Sequence, residues 1–215
     1  MEFIDQKIQQ YAETHTSNES DLLQQITRDT HAKVMMPRML SGHLQGRVLA
    51  MISSMIRPRN ILEIGTYTGY SALCLAEGLQ LGGKLVTIDI NDELEDRVRG
   101  YFASSGLGSQ IEFLLGDATE IIPHLDQRFD LVFIDADKEN YSRYFDLAID
   151  RVNLDGFILA DNVLWSGKVL NDKVDKDTKA IIDFNAKVQC DKRVENVLLP
   201  IRDGIMIMRK VSEQA

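Results

Sequence analysis

Apolar positions along this chain follow two rhythms. Between residues 41 and 57, SGHLQGRVLAMISSMIR sets Leu44, Val48, Met51, Ile52 and Met55 at helical spacing, and Pro58 ends the pattern. Residues 2–14 and 19–34 also read as helices, the second opened near Asn18 and Ser20 with acids in its first turn. Together these predict a small N-terminal helical cap over residues 1–40. Beyond it the rhythm shortens: apolar runs at 60–64 (NILEI), 84–90 (KLVTIDI), 111–115 (IEFLL), 130–134 (DLVFI) and 157–160 (FILA) are separated by stretches of helix length. Repeated strand–helix units predict a parallel sheet covered by helices on both faces. The C-terminal runs VENVLLPI and GIMIMRK are parted only by Arg202 and Asp203 before Gly204, so they form a hairpin and the last strand runs antiparallel. The expected fold is α/β and doubly wound, with the whole chain, 1–215, as one domain whose core spans 41–215.

Charge and composition narrow the function. With 24 basic and 33 acidic side chains, the net charge of -9 disfavours broad docking on nucleic acid or an anionic membrane. No apolar run reaches the roughly 18 residues of a membrane span, and MEFIDQKIQQ lacks the layout of a signal peptide. The expected compartment is therefore the cytoplasm. Cys74 and Cys190 are far apart and make no metal spacing, which predicts reduced thiols, and His31, His43 and His124 show no ligand spacing.

In an open parallel sheet, ligands gather at the carboxyl ends of strands. The first strand runs into LEIGTYTGYS, which places Gly65 and Gly69 in a turn and Ser71 at the start of a helix. Glycines permit close backbone approach, and a helix start offers amides to an anion. The spacing is G-x-x-x-G, with Tyr67 where a dinucleotide fingerprint needs glycine, which counts against a nicotinamide cofactor. Asp89 ends the second strand, where an acid accepts from ribose hydroxyls, and Asp117 with Ala118 follows the third, where an adenine edge would lie. Singly, each has an ordinary structural explanation as a turn glycine or a solvated strand end. Their order suits an amino-acid tail, a ribose and a purine.

The run LEIGTYTGYS, followed by TIDIN, GDA, FIDADKENY, DNVLW and a late DG, resembles the class I S-adenosylmethionine-dependent O-methyltransferases. Over roughly residues 35 to 210 it is similar to the cation-dependent catechol and caffeoyl-coenzyme A O-methyltransferases and their bacterial relatives. The resemblance implies a Rossmann-like sheet of seven strands with an antiparallel last strand. It also implies that Glu63, Gly65, Thr66 and Ser71 hold the methionyl end of the cofactor, Asp89 the ribose, and Asp117 with Ala118 the adenine. Counting back from the turn adds Met39 and Ser41, the latter standing where plant members carry Thr.

The same resemblance assigns the other strand ends. Asp135 ends the fourth strand, and Asp161 with Asn162 ends the fifth. The family binds a metal with residues at these three positions, and Asp135 also borders the cofactor. Carboxylate and amide oxygens without His or Cys suit a hard cation, Mg²⁺ first, or Mn²⁺ or Ca²⁺. Vicinal hydroxyls of a catechol-type acceptor would complete the coordination, and a bound hydroxyl is easier to deprotonate. Lys138 follows Asp135 by three residues, the spacing of the family's general base. A lysine beside a divalent cation is pushed toward its neutral form by like charge and can then take a proton. Taken alone, Lys138 would be a solvated lysine at a helix start. Asp137 is expected to support the ligands or cap that helix, Trp165 and Ser166 to face the substrate, and the polar loop 166–176 to be a mobile selector or lid.

Three functions follow. The first is metal-dependent O-methylation of a small phenolic with vicinal hydroxyls. The second is methylation of a hydroxylated uridine in tRNA by the same site; it requires a basic strip, for which Arg57, Arg59, Lys168, Lys173 and Lys176 are candidates. The third is a non-catalytic cofactor binder, for which a metal site and a base would have no use. The resemblance also implies a homodimer.

Overall fold

A computed structural model describes residues 5–214 of the chain. Its strands, β1 (Asn60–Ile64), β2 (Lys84–Asp89), β3 (Ile111–Leu115), β4 (Phe129–Ile134), β5 (Val152–Asp161), β6 (Val194–Leu199) and β7 (Ile205–Lys210), form a sheet of order β3-β2-β1-β4-β5-β7-β6, and the chain divides into two compact units.

The first unit, Gln6–Asp117, carries α1 (Gln6–Thr14), α2 (Asp21–Lys33), α3 (Gly42–Ile56), β1 (Asn60–Ile64), α4 (Tyr70–Ala76), β2 (Lys84–Asp89), α5 (Glu95–Ser104) and β3 (Ile111–Leu115). The helix expected over 2–14 begins at Gln6, its residues 2–4 lying outside the described region. The Ser20 hydroxyl caps α2 by accepting from Leu23 N at 3.3 Å, with Asp21 in the favourable first turn. β1, β2 and β3 pair in parallel, Leu62 beside Val86 and Val86 beside Glu112. The apolar side chains of β1 and β2 are buried, those of β3 only in part, with Leu115 exposed, and α4 is buried along its entire length.

The second unit carries α6 (Ala118–Ile121), β4 (Phe129–Ile134), α7 (Tyr141–Ile149), β5 (Val152–Asp161), α8 (Lys176–Cys190), β6 (Val194–Leu199) and β7 (Ile205–Lys210). β4 pairs in parallel with β5, while β7 lies antiparallel to both β5 and β6, as the hairpin predicted. β5 starts five residues before the expected 157–160 run. The early part escapes an apolar reading because Asp155, at φ 64°, and Gly156 interrupt it, and the β4–β5 register shifts there. Phe184 on α8 meets Tyr141 and Phe145 of α7 edge-on, with centroids 5.4 and 6.3 Å apart. Such aromatic packing fixes α7 at its first residue, next to the chemistry-bearing end of β4.

Candidate active site

In the first unit the turn after β1 is built around Asp89. Its Oδ2 accepts from Thr66 N (2.9 Å) and Tyr67 N (2.7 Å), and its Oδ1 accepts from Asn91 N (2.9 Å). The carboxylate predicted for ribose thus also locks the glycine turn to the end of β2. Beneath the turn runs a buried polar chain. Thr87 Oγ1 donates to Glu63 Oε2 at 2.5 Å, which leaves Thr66 Oγ1 to donate to Thr87 Oγ1, also at 2.5 Å. Glu63, Thr66 and Thr87 are all buried, so the sequence-predicted Glu63 and Thr66 are joined by a residue that sequence reasoning missed.

Gly65 and Gly69 adopt φ 99° and 79°, conformations that disfavour other residues. Gly69 serves its own core as well, because a Cβ there would lie 2.7 Å from the Phe102 ring. Ser71 lies buried in α4. Met39 ends an exposed 3-10 turn, and Ser41 sits buried at the N-cap position of α3 without a side-chain capping bond. The Tyr67 hydroxyl donates to the Met35 carbonyl at 3.0 Å, tying the glycine turn to the segment leading to Met39. Asp117, past the end of β3, is exposed, and Ala118, the first residue of α6, is buried.

In the second unit the predicted base meets two of the three predicted metal residues, Asp135 and Asn162. Lys138, only 8% exposed, donates from Nζ to Asp135 Oδ1 (3.3 Å), Asn162 Oδ1 (2.8 Å) and Tyr141 OH (2.6 Å). The Tyr141 hydroxyl in turn donates to the Asp161 carbonyl oxygen at 2.9 Å. Burial, and then the carboxylates of Asp135, Asp161 and Asp137, push that hydroxyl well above the usual tyrosine range, so it stays neutral. Asp161 is 2% exposed and its Oδ1 accepts from Asn162 N at 2.8 Å. Asn162 sits at φ 59°, a conformation asparagine tolerates better than most residues, and this turns the chain out of β5. Asp137 does not cap a helix with its side chain. It accepts from Asn140 Nδ2 (2.7 Å) and Tyr144 OH (2.5 Å) instead.

Trp165 lies over this cluster, its ring centroid 5.5 Å from Lys138 Nζ and 5.6 Å from Lys168 Nζ. The segment expected as a polar loop begins as a tight turn over Trp165–Leu170, in which Trp165, Ser166 and Gly167 all take positive φ. Asp203 clamps it: Oδ1 accepts from Ser166 N at 2.5 Å, and its carbonyl accepts from Leu164 N at 2.9 Å. Burial raises the Asp203 carboxyl above its ordinary range. Tyr141 and Asp203 were not singled out as site residues from sequence. The signals were present, as the Tyr closing FIDADKENY and the Asp of the late DG. Two basic-strip candidates are paired with acids, Lys168 with Asp175 and Lys176 with Glu139.

The donor set fits a hard cation. Asp135, Asp161 and Asn162 offer oxygen alone, and a cationic ammonium already rests against two of them. Asp135 and Asp161 are the only carboxylates of this trio, so no group of three His, Cys, Asp or Glu marks the place among the described residues.

A sheet of this order, with one antiparallel strand and a glycine turn clamped by the acid ending β2, defines a Rossmann-like methyltransferase. Comparison with known proteins agrees. A sequence model described as O-methyltransferase matches residues 13–211. Caffeoyl-CoA O-methyltransferase of Petroselinum crispum is 34% identical over 198 residues, covering 86% of this chain and 82% of that protein. Caffeoyl-CoA O-methyltransferase 2 of Eucalyptus globulus is 36% identical, with coverages of 78% and 73%. Among solved structures, the Bacillus cereus O-methyltransferase in complex with SAH is 28% identical with TM-score 0.88, covering 95% of this chain and 97% of that one. The SAH-bound methyltransferase of Podospora anserina is 27% identical with TM-score 0.88, covering 96% and 94%. This chain belongs to the O-methyltransferase family. It is an S-adenosylmethionine-dependent O-methyltransferase. Among the described residues, no helix is long and apolar enough to cross a membrane.

Proposed function

We propose that the enzyme methylates one hydroxyl of a small aromatic carrying vicinal hydroxyls, and that it needs a divalent cation, Mg²⁺ first, held by Asp135, Asp161 and Asn162. The observation that carries this reading is the convergence of Asp135 and Asn162 oxygens on one cation, the Lys138 ammonium. A bound divalent ion would supply Lewis acidity to the acceptor hydroxyl. The chain's own residues do the rest. Asp89, Glu63, Thr66 and the glycine turn bind the cofactor, with Ser71, Met39, Ser41, Asp117 and Ala118 around it. Trp165 and Ser166 position the aromatic ring.

Lys138 receives the proton of the reacting hydroxyl. In the arrangement observed, all three of its hydrogens are donated, so it is an ammonium. To act as a base it must leave Asp135 and Asn162 and give a proton to solvent. Methyl transfer is then a displacement in which the acceptor oxygen forms a bond to carbon as the carbon–sulfur bond breaks, and positioning supplies much of the rate. The caffeoyl-CoA relatives support a phenolic acceptor. The expected setting is a cytoplasmic homodimer.

A panel measuring S-adenosylhomocysteine release tests the substrate class: caffeic acid, a simpler catechol, its monohydroxy analogue and bulk tRNA. Turnover of the vicinal diols alone is the expected result. Turnover of tRNA alone would overturn it.

A further inference from the structure

The proposed metal ligands already hold a cation. Two of the three acceptors of Lys138, Asp135 Oδ1 and Asn162 Oδ1, are oxygens assigned above to a divalent ion. Each of these oxygens keeps a second lone pair, so the conflict is one of charge: a divalent ion held by both would lie beside the Lys138 ammonium, and two cations at such spacing repel strongly where water is scarce. The third acceptor is fixed. The Tyr141 hydroxyl is held by the Asp161 carbonyl, and its ring, fully buried, is wedged against Phe184. Lys138 Nζ lies 4.6 Å from the centroid of the Tyr141 ring, on its hydroxyl side, so the tyrosine meets the ammonium through its oxygen.

We propose that Lys138 is the built-in counter-ion of the Asp135–Asn162 cluster, docked there by Tyr141, and that a divalent cation binds only by displacing it. The inference rests on the metal reading of the same residues. It gives the Asp135 carboxylate a charge partner in Lys138, since removing a partner from a buried charge costs more than the pair is worth. It also couples two events: the lysine leaves the ligand oxygens as they become available, and in leaving gains the freedom it needs to meet an acceptor hydroxyl. Tyr141 is the positioning residue of this exchange.

The test is direct Mn²⁺ binding to the full chain, by calorimetry or by loss of the free-ion paramagnetic signal, with no cofactor or substrate present. Wild type, Lys138→Gln, Tyr141→Phe and Asp135→Asn are compared, with circular dichroism to confirm folding. Lys138→Gln is expected to bind about tenfold or more tightly than wild type, a difference of about 1.4 kcal/mol. Tyr141→Phe is expected to bind more tightly by a smaller factor, and Asp135→Asn to lose binding. If Lys138→Gln does not fold, Tyr141→Phe, which deletes one oxygen, carries the test. Equal or weaker binding by both Lys138→Gln and Tyr141→Phe, with Asp135→Asn still defective, would overturn the displacement while the metal reading stands. Absence of Mn²⁺ binding in wild type and every variant would overturn both.

Discussion

The Tyr141 hydroxyl stands 2.6 Å from the Nζ of Lys138, and this contact ties the proposed base to the start of α7. If Lys138 takes the acceptor proton, its loss should cost turnover with little effect on cofactor affinity. Lys138→Met is expected to lower kcat about 10²- to 10⁴-fold, the usual worth of a positioned base. Equal kcat in the variant, measured by S-adenosylhomocysteine release, would remove Lys138 from the chemistry.

The chain Thr66–Thr87–Glu63 lies under the glycine turn. Thr87→Val keeps the volume and deletes the hydroxyl that joins Glu63 to Thr66, at a cost of about 0.5–1.5 kcal/mol for each of the two hydrogen bonds lost. A lower melting temperature and roughly tenfold weaker S-adenosylhomocysteine binding by calorimetry are expected. Unchanged affinity would mean that the chain supports the fold alone.

Asp203 carries a sign that can be checked. Burial raises its carboxyl above the ordinary 3.8, so its ionised form is disfavoured in the fold. The stability linked to it is full below 3.8 and lost as pH rises through the raised folded-state value. Asp203→Asn keeps an acceptor for Ser166 N and should melt higher than wild type near neutral pH. The gap should shrink as pH falls toward 3.8. A variant that melts lower at neutral pH would contradict this balance.

The two thiols should differ sharply. Cys74 is buried, and burial pushes its thiol up to about 12, whereas Cys190 is exposed at the end of α8. Only the thiolate reacts readily. A thiol reagent should therefore label Cys190 alone in the native protein and both after denaturation, as peptide mapping would show. Rapid native labelling of Cys74 would mean that α4 opens easily.

Much of this was legible in the sequence because periodicity and strand ends are local signals. The runs at 60–64 and 111–115 match β1 and β3 residue for residue, and the hairpin gave the antiparallel β7. Asp135, Asp161, Asn162 and Lys138 could be singled out because they lie in FIDADKENY and DNVLW, the motifs that carry the family resemblance, close to the ends of β4 and β5. What sequence hid depends on side chains meeting across elements. Tyr141 reads as one more core aromatic until its hydroxyl is seen between Lys138 and Asp161. Thr87 reads as an ordinary β-branched strand residue, and Asp203 as a turn acid. The 166–176 stretch looks like plain polar loop because its turn depends on three successive positive-φ residues and an Asp203 clamp.

The most direct test of the account is the rate of caffeic acid methylation after stripping divalent ions with EDTA and titrating Mg²⁺ back, with Asp161→Asn in parallel. The account predicts turnover near zero without metal, saturable recovery with Mg²⁺, and a variant that recovers poorly. Full activity of the wild type in EDTA would contradict it.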